Sequence, residues 1–181
     1  KRRIFIDMDG VLATWNSDKS LEEVAMPGYY RDLQPIKNVV EAIKKAKAKV
    51  MYICNAMTQP GETDNFGVSD HIKVLEQYLG ENAIDVVIAS NTDIPKEMLE
   101  KYETEEQKDQ VPIDYENIKK AKYELIEDDL LTTSDGTIKH NSLKLSSVIF
   151  SYLMREIIIS AQLIIEKFNI KSALKIGRKR W

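Results

Sequence analysis

The chain has very few of the residues that form disulfides or zinc sites. Its 181 residues include one cysteine, Cys54, and two histidines, His71 and His140. A single thiol excludes an internal disulfide, and so few thiols and imidazoles give no zinc-binding cluster. This cysteine usage suits a reducing compartment and predicts a cytoplasmic protein.

The chain also lacks a strong excess of one charge and a clear membrane-spanning run. The formal net charge is −3, which predicts no general attraction to nucleic acid. No segment has the features of a signal peptide. The longest apolar stretch, residues 148–165, is interrupted by polar residues that include Arg155 and Glu156, which predicts that it does not span a membrane. It is more simply a core helix or a helix that forms a homodimer.

Short apolar runs alternate with segments of helical periodicity. Strands are predicted at residues 3–7, 49–54, 85–89 and 123–126, and helices at 36–48, 69–79, 95–105 and 142–168. The dipeptide Asp135-Gly136 predicts a turn. The alternation predicts an α/β fold, a Rossmann-like three-layer sandwich with a mainly parallel sheet and a small cap insertion after the first strand. Ligands of such sheets bind at the carboxyl ends of the strands.

Two aspartates follow the first predicted strand, in the stretch RIFIDMDGVLATWN. Asp7 and Asp9 would repel each other unless a cation such as Mg²⁺ lay between them. Asp7 is placed to attack a phosphorus atom, Asp9 to act as acid and base, and Gly10 to let main-chain N–H groups approach a phosphate. The plainer interpretation is an aspartate pair that caps a turn.

This stretch, with the following MPGYYRDLQPIKNVVEAIKK, resembles the start of the haloacid-dehalogenase superfamily, and in particular the 5'(3')-deoxyribonucleotidase-like group. The resemblance covers residues 3–48. It implies a Mg²⁺-dependent phosphohydrolase that acts on a small phosphate monoester, such as a nucleoside monophosphate, through an aspartyl-phosphate. Asp7 would be the nucleophile and Asp9 the acid/base.

The same resemblance implies three further parts of a phosphatase site. A hydroxyl residue should follow the second strand, where this chain has Asn55. A lysine should neutralise the phosphate, and Lys122 precedes the fourth strand. An acidic pair should complete the metal site with Asp7 and Asp9, and this pair would be Asp128 and Asp129.

The loop NAMTQPGETDN follows the second strand and leads into a predicted helix that Ser69 would cap. Its hydroxyl groups at Thr58 and Thr63, together with free N–H groups at the helix start, predict an anion site. The alternative is a loop that is rich in turn residues and ends in an ordinary helix cap, with no role in ligand binding. His71 would lie in the core, at the surface or against the loop, and His140 would cap the last helix.

Residues 50–153 are similar to the gluconeogenesis-factor branch of the CofD-like family, most clearly in the motif MTQPGETD and in the segments IDVVIASNTDIPKEMLEKY and ELIEDDLL. The resemblance implies a Rossmann-like fold and a regulatory protein that binds a UDP-sugar. Asn55, Thr58, Gln59, Thr63 and Asp64 would line the ligand cleft. The Gly-rich nucleotide loop of that family is absent.

Together the two resemblances predict a join near residue 48. We expect a single Rossmann-like domain over residues 1–155, followed by a C-terminal helix and basic tail over 156–181. The main functional hypothesis is the Mg²⁺-dependent phosphohydrolase. The alternatives are a regulatory protein that binds a nucleotide or nucleotide sugar without turnover, and a chain without a working site.

Overall fold

The computed structural model describes residues 34–177, with the backbone alone from 169 onward. The predicted first strand and the cap insertion therefore lie outside the described residues, as do Asp7, Asp9, Gly10 and residues 178–181 of the basic tail. The described part contains α1 Lys37–Lys44, β1 Met51–Ile53, α2 Val68–Leu79, β2 Val86–Ser90, α3 Lys96–Lys101, α4 Tyr115–Ile118, β3 Glu124–Asp128, β4 Leu131–Thr132, β5 Lys139–His140 and α5 Ser142–Gly177.

Three parallel strands form the sheet, in the order β1-β2-β3. Val87 of β2 lies beside Tyr52 of β1 on one side and Leu125 of β3 on the other. The expected α/β fold with a parallel sheet is confirmed, and it is compatible with Rossmann-like layering. The middle strand is apolar up to its last residue, Ser90, and is covered on both faces: Val86, Val87 and Ile88 are at most 1% exposed.

Some elements are shorter than the sequence predicts. The second predicted strand, residues 49–54, pairs as a strand only over Met51–Ile53. The N–H of Val50 is instead bound by the Asp85 carboxylate at 2.8 Å. The helix predicted over 95–105 is α3 followed by a π-helical turn, Tyr102–Glu106, which ends at Gln107 with a positive φ of 54°.

Two apolar clusters form the core of the described residues. The larger one joins α1 and α2 to the sheet, and includes Val40, Val68, Ile72, Leu79, Val87 and Ile118. Each fully buried aliphatic side chain of this kind stabilises the fold by about 1.5–3 kcal/mol. The smaller cluster, Met57, Ile94, Tyr102 and Leu131, lies under the loops that follow the strands.

A short antiparallel hairpin, β4–β5, follows the sheet. Its strands pair Leu131 with His140, and the predicted turn between them contains Gly136 at φ +77°. The hydroxyl of buried Tyr102 accepts a hydrogen bond from the N–H of Ile138 at 2.8 Å, which ties the hairpin to the end of α3. By its contacts the chain divides into two compact units between His140 and Asn141.

Candidate functional site

The carboxyl ends of the three parallel strands lie side by side at one edge of the sheet. The N–H of Cys54, just after β1, donates to the carbonyl of Ile88 at 2.8 Å, and the N–H of Asn91 donates to the carbonyl of Asp128 at 3.0 Å. Asn55, the residue after Cys54, is exposed. The structure therefore brings Asn55, Asn91 and Asp128 to the same edge, where ligands of parallel sheets bind.

A network of hydroxyl groups joins the loops after β2 and β3. The Ser90 and Thr92 hydroxyls lie 2.8 Å apart, and the Thr92 hydroxyl donates to the Asp129 carboxylate at 2.7 Å. The same two oxygens accept hydrogen bonds from the N–H groups of Leu130 and Leu131 at 3.2 and 3.0 Å. Asp129 is therefore engaged in holding these loops together, and Asp128 beside it is exposed.

The loop after β1 is closed by its own side chains. The Thr63 hydroxyl accepts from the N–H of Gln59, and the Asp64 carboxylate accepts from the N–H of Gly61, both at 2.8 Å. Gly61 has a φ of +76°, a conformation that favours glycine. Of the residues predicted to line the cleft, Asn55, Gln59 and Asp64 expose their side chains, and Thr63 is half-buried.

Thr58 has a structural role that its position in the motif did not reveal. It is 2% exposed. Its N–H donates to the carbonyl of Asp109, and its hydroxyl accepts from the N–H of Asp109, both at 2.8 Å. This pair of hydrogen bonds fastens the loop to a segment far along the chain. The Thr58 hydroxyl therefore holds the loop from a buried position.

The start of α2 is not the open anion site that the sequence suggested. The N-cap is Gly67, two residues before Ser69. The first N–H groups of the helix are already bonded: Val68 to the carbonyl of Pro112, Ser69 to the Asp114 carboxylate, and the next two to the carbonyl of Gly67. These N–H groups are the ones that would hold an anion. The helix start is therefore filled by the chain itself.

Asp114 is the side chain that fills it. It accepts from the N–H and hydroxyl of Ser69 at 2.9 and 2.5 Å and from the Asn117 amide at 2.9 Å. Burial raises the pKa of Asp114, but these hydrogen bonds outweigh it and hold the pKa below its usual value. A Cβ at Gly67 would come within 2.9 Å of the carboxylate, so this approach requires glycine.

His71 lies in the core, one of the places expected for it, whereas His140 is part of a strand and does not cap the last helix. His140 lies on β5 and contacts the main chain of Cys54, which places it at the same sheet edge as Asn55. Burial lowers the pKa of His140, and a hydrogen bond to that main chain opposes the effect. His71 is buried on α2, with its Nδ1 3.3 Å from the Tyr52 hydroxyl and its ring against Phe66. Burial lowers its pKa as well.

Cys54 is buried beneath this edge, as its strand context predicts. It is 2% exposed, and burial raises the pKa of its thiol to about 12. A thiol is a nucleophile only as the thiolate. Cys54 is therefore a packing residue.

Lys122 lies at the wrong end of the sheet for the role that the sequence suggested. It precedes β3, whereas Asp128 ends that strand. Six residues of extended chain separate them by roughly 20 Å. The structure therefore does not bring Lys122 to Asn55 or to the acidic pair.

The metal site was predicted from four carboxylates, of which Asp7 and Asp9 lie outside the described residues. Within residues 34–177 no group of three or more His, Cys, Asp or Glu side chains could hold a metal ion. Asp128 and Asp129 are adjacent, and the Asp128 carboxylate accepts from the N–H of Asp129 at 2.8 Å. This pair alone fits only an ion that also binds water or a ligand phosphate.

Comparison with known proteins gives a consistent result. The profile of the family described as 2-phospho-L-lactate transferase CofD matches residues 35–131. The gluconeogenesis factor of Bacillus subtilis is 38% identical over 118 residues, which are 65% of this chain and 37% of that protein. A putative gluconeogenesis factor of Thermotoga maritima is 46% identical over 119 residues, 63% of this chain and 37% of that protein.

Two further matches extend the comparison. A putative gluconeogenesis factor of Clostridium acetobutylicum is 28% identical over 98% of this chain and 41% of its own length. A crystal structure of a UPF0052 family protein from Bacillus halodurans superposes with a TM-score of 0.59 at 32% identity, over 63% of this chain and 37% of that one. The chain thus spans about two fifths of the length of these relatives.

These matches correct the main functional hypothesis. The comparisons give no support for a haloacid-dehalogenase part, so hydrolase, phosphatase and 5'-nucleotidase are wrong descriptions of this chain. The CofD profile begins at residue 35, inside the segment 3–48 assigned to that superfamily, and the Clostridium protein aligns with almost the whole chain. A short Asp-x-Asp-Gly turn after a strand carries little family information, because Asp and Gly suit many turns. The chain belongs to the CofD family.

Proposed function

We propose that the chain binds a nucleotide sugar at the carboxyl edge of its parallel sheet and acts as a regulatory protein without turnover. The observation that carries the proposal is the convergence of Asn55, Asn91 and Asp128 at this edge, through the hydrogen bonds that link the three strand ends. The gluconeogenesis-factor names of the relatives support the regulatory role. The nucleotide-sugar ligand is the one that the sequence resemblance implies.

The chemistry of the edge suits a ligand rich in hydroxyl groups. An exposed amide such as Asn55 can both donate and accept hydrogen bonds, and an exposed carboxylate such as Asp128 accepts them from sugar or ribose hydroxyls. Half-buried His140 adds an imidazole beside Asn55. No side chain in this group needs to act as a nucleophile for binding alone.

The negative charge of Asp128 bears on how a diphosphate would bind. Two anions repel unless a cation lies between them, and Mg²⁺ commonly binds to one or two protein carboxylates together with ligand phosphates. We propose that Mg²⁺ enters with the ligand and is held on the protein side by Asp128. Mg²⁺ would supply only charge neutralisation there.

The test is thermal stabilisation of the full chain by UDP-glucose, with UDP and inorganic phosphate as comparison ligands and with or without Mg²⁺. A ligand at 100 times its dissociation constant stabilises the folded state by about 2.7 kcal/mol. We expect UDP-glucose to stabilise more than UDP, phosphate to have no effect, and the sugar nucleotide to remain intact by chromatography. Asn55→Ala should remove the stabilisation, and Asp128→Asn should remove its Mg²⁺ dependence.

Lys122→Ala is the matched control, because Lys122 is also exposed but lies at the opposite end of the sheet. It should bind as the unmodified chain does, and so should Asp7→Asn. The proposal is wrong if the folded protein shows no shift with millimolar UDP-glucose. It is also wrong if Lys122→Ala loses as much stabilisation as Asn55→Ala.

A further inference from the structure

The long helix α5 presents an apolar surface that the described residues leave exposed. Its segment Ser142–Phe168, with a mean hydropathy of 1.7, is long and apolar enough to cross a membrane. Only 6% of its most apolar part is buried. Exposed large apolar side chains run from Leu143, 83% exposed, to Phe168, 69% exposed. Apolar surface on this scale marks an interaction site.

Eight exposed residues from Leu143 to Phe168 follow a heptad spacing, alternately four and three residues apart, which places them on one face of the helix. The other large exposed apolar residues of this segment, Ile158, Ile159, Leu163 and Ile165, lie beside or opposite that face. We call this face the seam. Its first half is Leu143, Ser147, Phe150 and Met154, and its second half is Ile157, Ala161, Ile164 and Phe168. All eight are exposed. This spacing is the one with which a helix packs against a second helix.

The charges of the helix disfavour a membrane span. Arg155 and Glu156 lie at the middle of the segment Ser142–Phe168 and outside the seam. The Arg155 guanidinium stacks over the Tyr152 ring, 5.1 Å from its centroid. At the centre of a bilayer an arginine costs about 2.5–3.5 kcal/mol. In a pair of helices formed in water, Arg155 and Glu156 lie outside the contact and keep access to solvent.

The side-chain sizes along the seam match an antiparallel copy of the same helix. We propose that two copies of this chain pair through the seam, antiparallel, about a twofold axis between Arg155 and Glu156. In that arrangement Ser147 faces Ile164 of the other copy and Phe150 faces Ala161. The two smallest seam residues thus each meet a large one, as close packing requires.

The remaining layers also fit this arrangement. Leu143 faces Phe168 of the other copy, and Met154 faces Ile157. A parallel pair would instead set Phe150 against Phe150, Ala161 against Ala161 and a buried Ser147 against itself. The Phe150 layer would be overpacked, the Ala161 layer would leave a cavity, and the Ser147 layer would bury two hydroxyl groups. Size complementarity therefore selects the antiparallel orientation.

The seam is large enough for a stable pair. The six large seam side chains are between 39% and 83% exposed, and the flanking Ile158 and Ile165 are 52% and 59% exposed. Together they offer on the order of 800 Å² per copy, or about 1,600 Å² for the pair, which is the usual size of a specific protein interface. A twofold pair of identical surfaces is also the commonest form of homo-oligomer.

The first experiment is sedimentation equilibrium of the full chain in detergent-free buffer. We expect a dimer at micromolar concentration. Ile157→Lys, in the seam, should weaken the dimer by about 100-fold or more, because it buries an unpaired ammonium. Leu163→Lys is the matched control: Leu163 is 52% exposed, against 54% for Ile157, but lies outside the seam. It should change the dissociation constant by no more than about threefold. Far-UV circular dichroism checks that both variants are folded.

Cysteine crosslinking tests the orientation. In a Cys54→Ser background, Ser147→Cys and Ile164→Cys chains should crosslink when mixed and oxidised, and neither should crosslink alone. Crosslinking of the Ser147→Cys chain alone would mean a parallel pair and overturn the orientation. A folded monomer, equal effects of Ile157→Lys and Leu163→Lys, or flotation of the chain with phosphatidylcholine vesicles in place of dimerisation would overturn the proposal.

Discussion

The contact between Asp114 and the start of α2 gives the sharpest prediction about stability. Asp114 lies 45 residues from Ser69 in sequence and accepts two hydrogen bonds from it, with a third from Asn117. Asp114→Ala removes the carboxylate that accepts all three hydrogen bonds and leaves the Ser69 N–H, which is part-buried, without its partner. A lost helix cap costs about 0.5–2 kcal/mol, and hydrogen bonds to a charged group are stronger than neutral ones. We therefore expect a loss of about 2–3 kcal/mol in the free energy of unfolding.

Gly67 provides a second perturbation of the same contact. A Cβ at this position would lie 2.9 Å from the Asp114 carboxylate and 3.3 Å from its Cβ, so Gly67→Ala must displace the side chain. Overpacking of this kind costs about 1–3 kcal/mol. In the Asp114→Ala background the carboxylate is gone, so the same substitution should cost at least about 1 kcal/mol less.

The assay is urea denaturation followed by circular dichroism, on the two single variants and the double variant. Glu116→Ala is the control, because its ion pair with Lys119 is exposed on both sides and should change stability by less than about 0.5 kcal/mol. The pH dependence gives an independent check. Asp114 has a lowered pKa in the folded state, so its contribution is present above its unfolded pKa and is lost as the pH falls through the folded value. Strictly additive losses in the double variant would refute the reasoning.

Two other predictions concern buried polar groups. Thr58→Val keeps the shape of the side chain but leaves the N–H of Asp109 without its acceptor, so it should lower the free energy of unfolding in urea by about 1–3 kcal/mol. Thr104→Val is the control. The Thr104 hydroxyl donates to an exposed helix carbonyl, so its loss should lower the free energy of unfolding by less than about 1 kcal/mol. His71 has a lowered pKa in the folded state, so the unfolded chain binds a proton first and stability should fall as the pH drops below the unfolded value of 6.5. His71→Phe should flatten this part of the pH profile, and an unchanged slope would show that the imidazole is not the group that titrates.

Some features of the chain follow from local sequence because local physics decides them. The apolar run at residues 86–89 predicts a strand covered on both faces, and it forms most of β2. Asp135-Gly136 can only turn the chain, and Gly136 has the positive φ that the turn needs. The long apolar stretch is one helix, α5, and the order of strands and helices determines the α/β class.

The candidate site could be predicted only in part. Asn55 and Asp128 follow strands, and parallel strands place their carboxyl ends together, so the common edge could be inferred before the structure was known. Lys122 could not be placed the same way, because it precedes its strand and the sheet carries it to the other end. A short motif near the N-terminus also suggested a phosphatase, which the family relationship overturned.

Only the tertiary structure decided the contacts between residues that lie far apart in sequence. The sequence marks Ser69 and Thr58 as hydroxyls in a loop, but only the fold shows that Asp114 and Asp109 bind them. Likewise nothing local places His140 against the main chain of Cys54. A hydrogen-bond partner is selected by proximity in space, whereas local sequence specifies only the backbone conformation of each segment and the face that it buries.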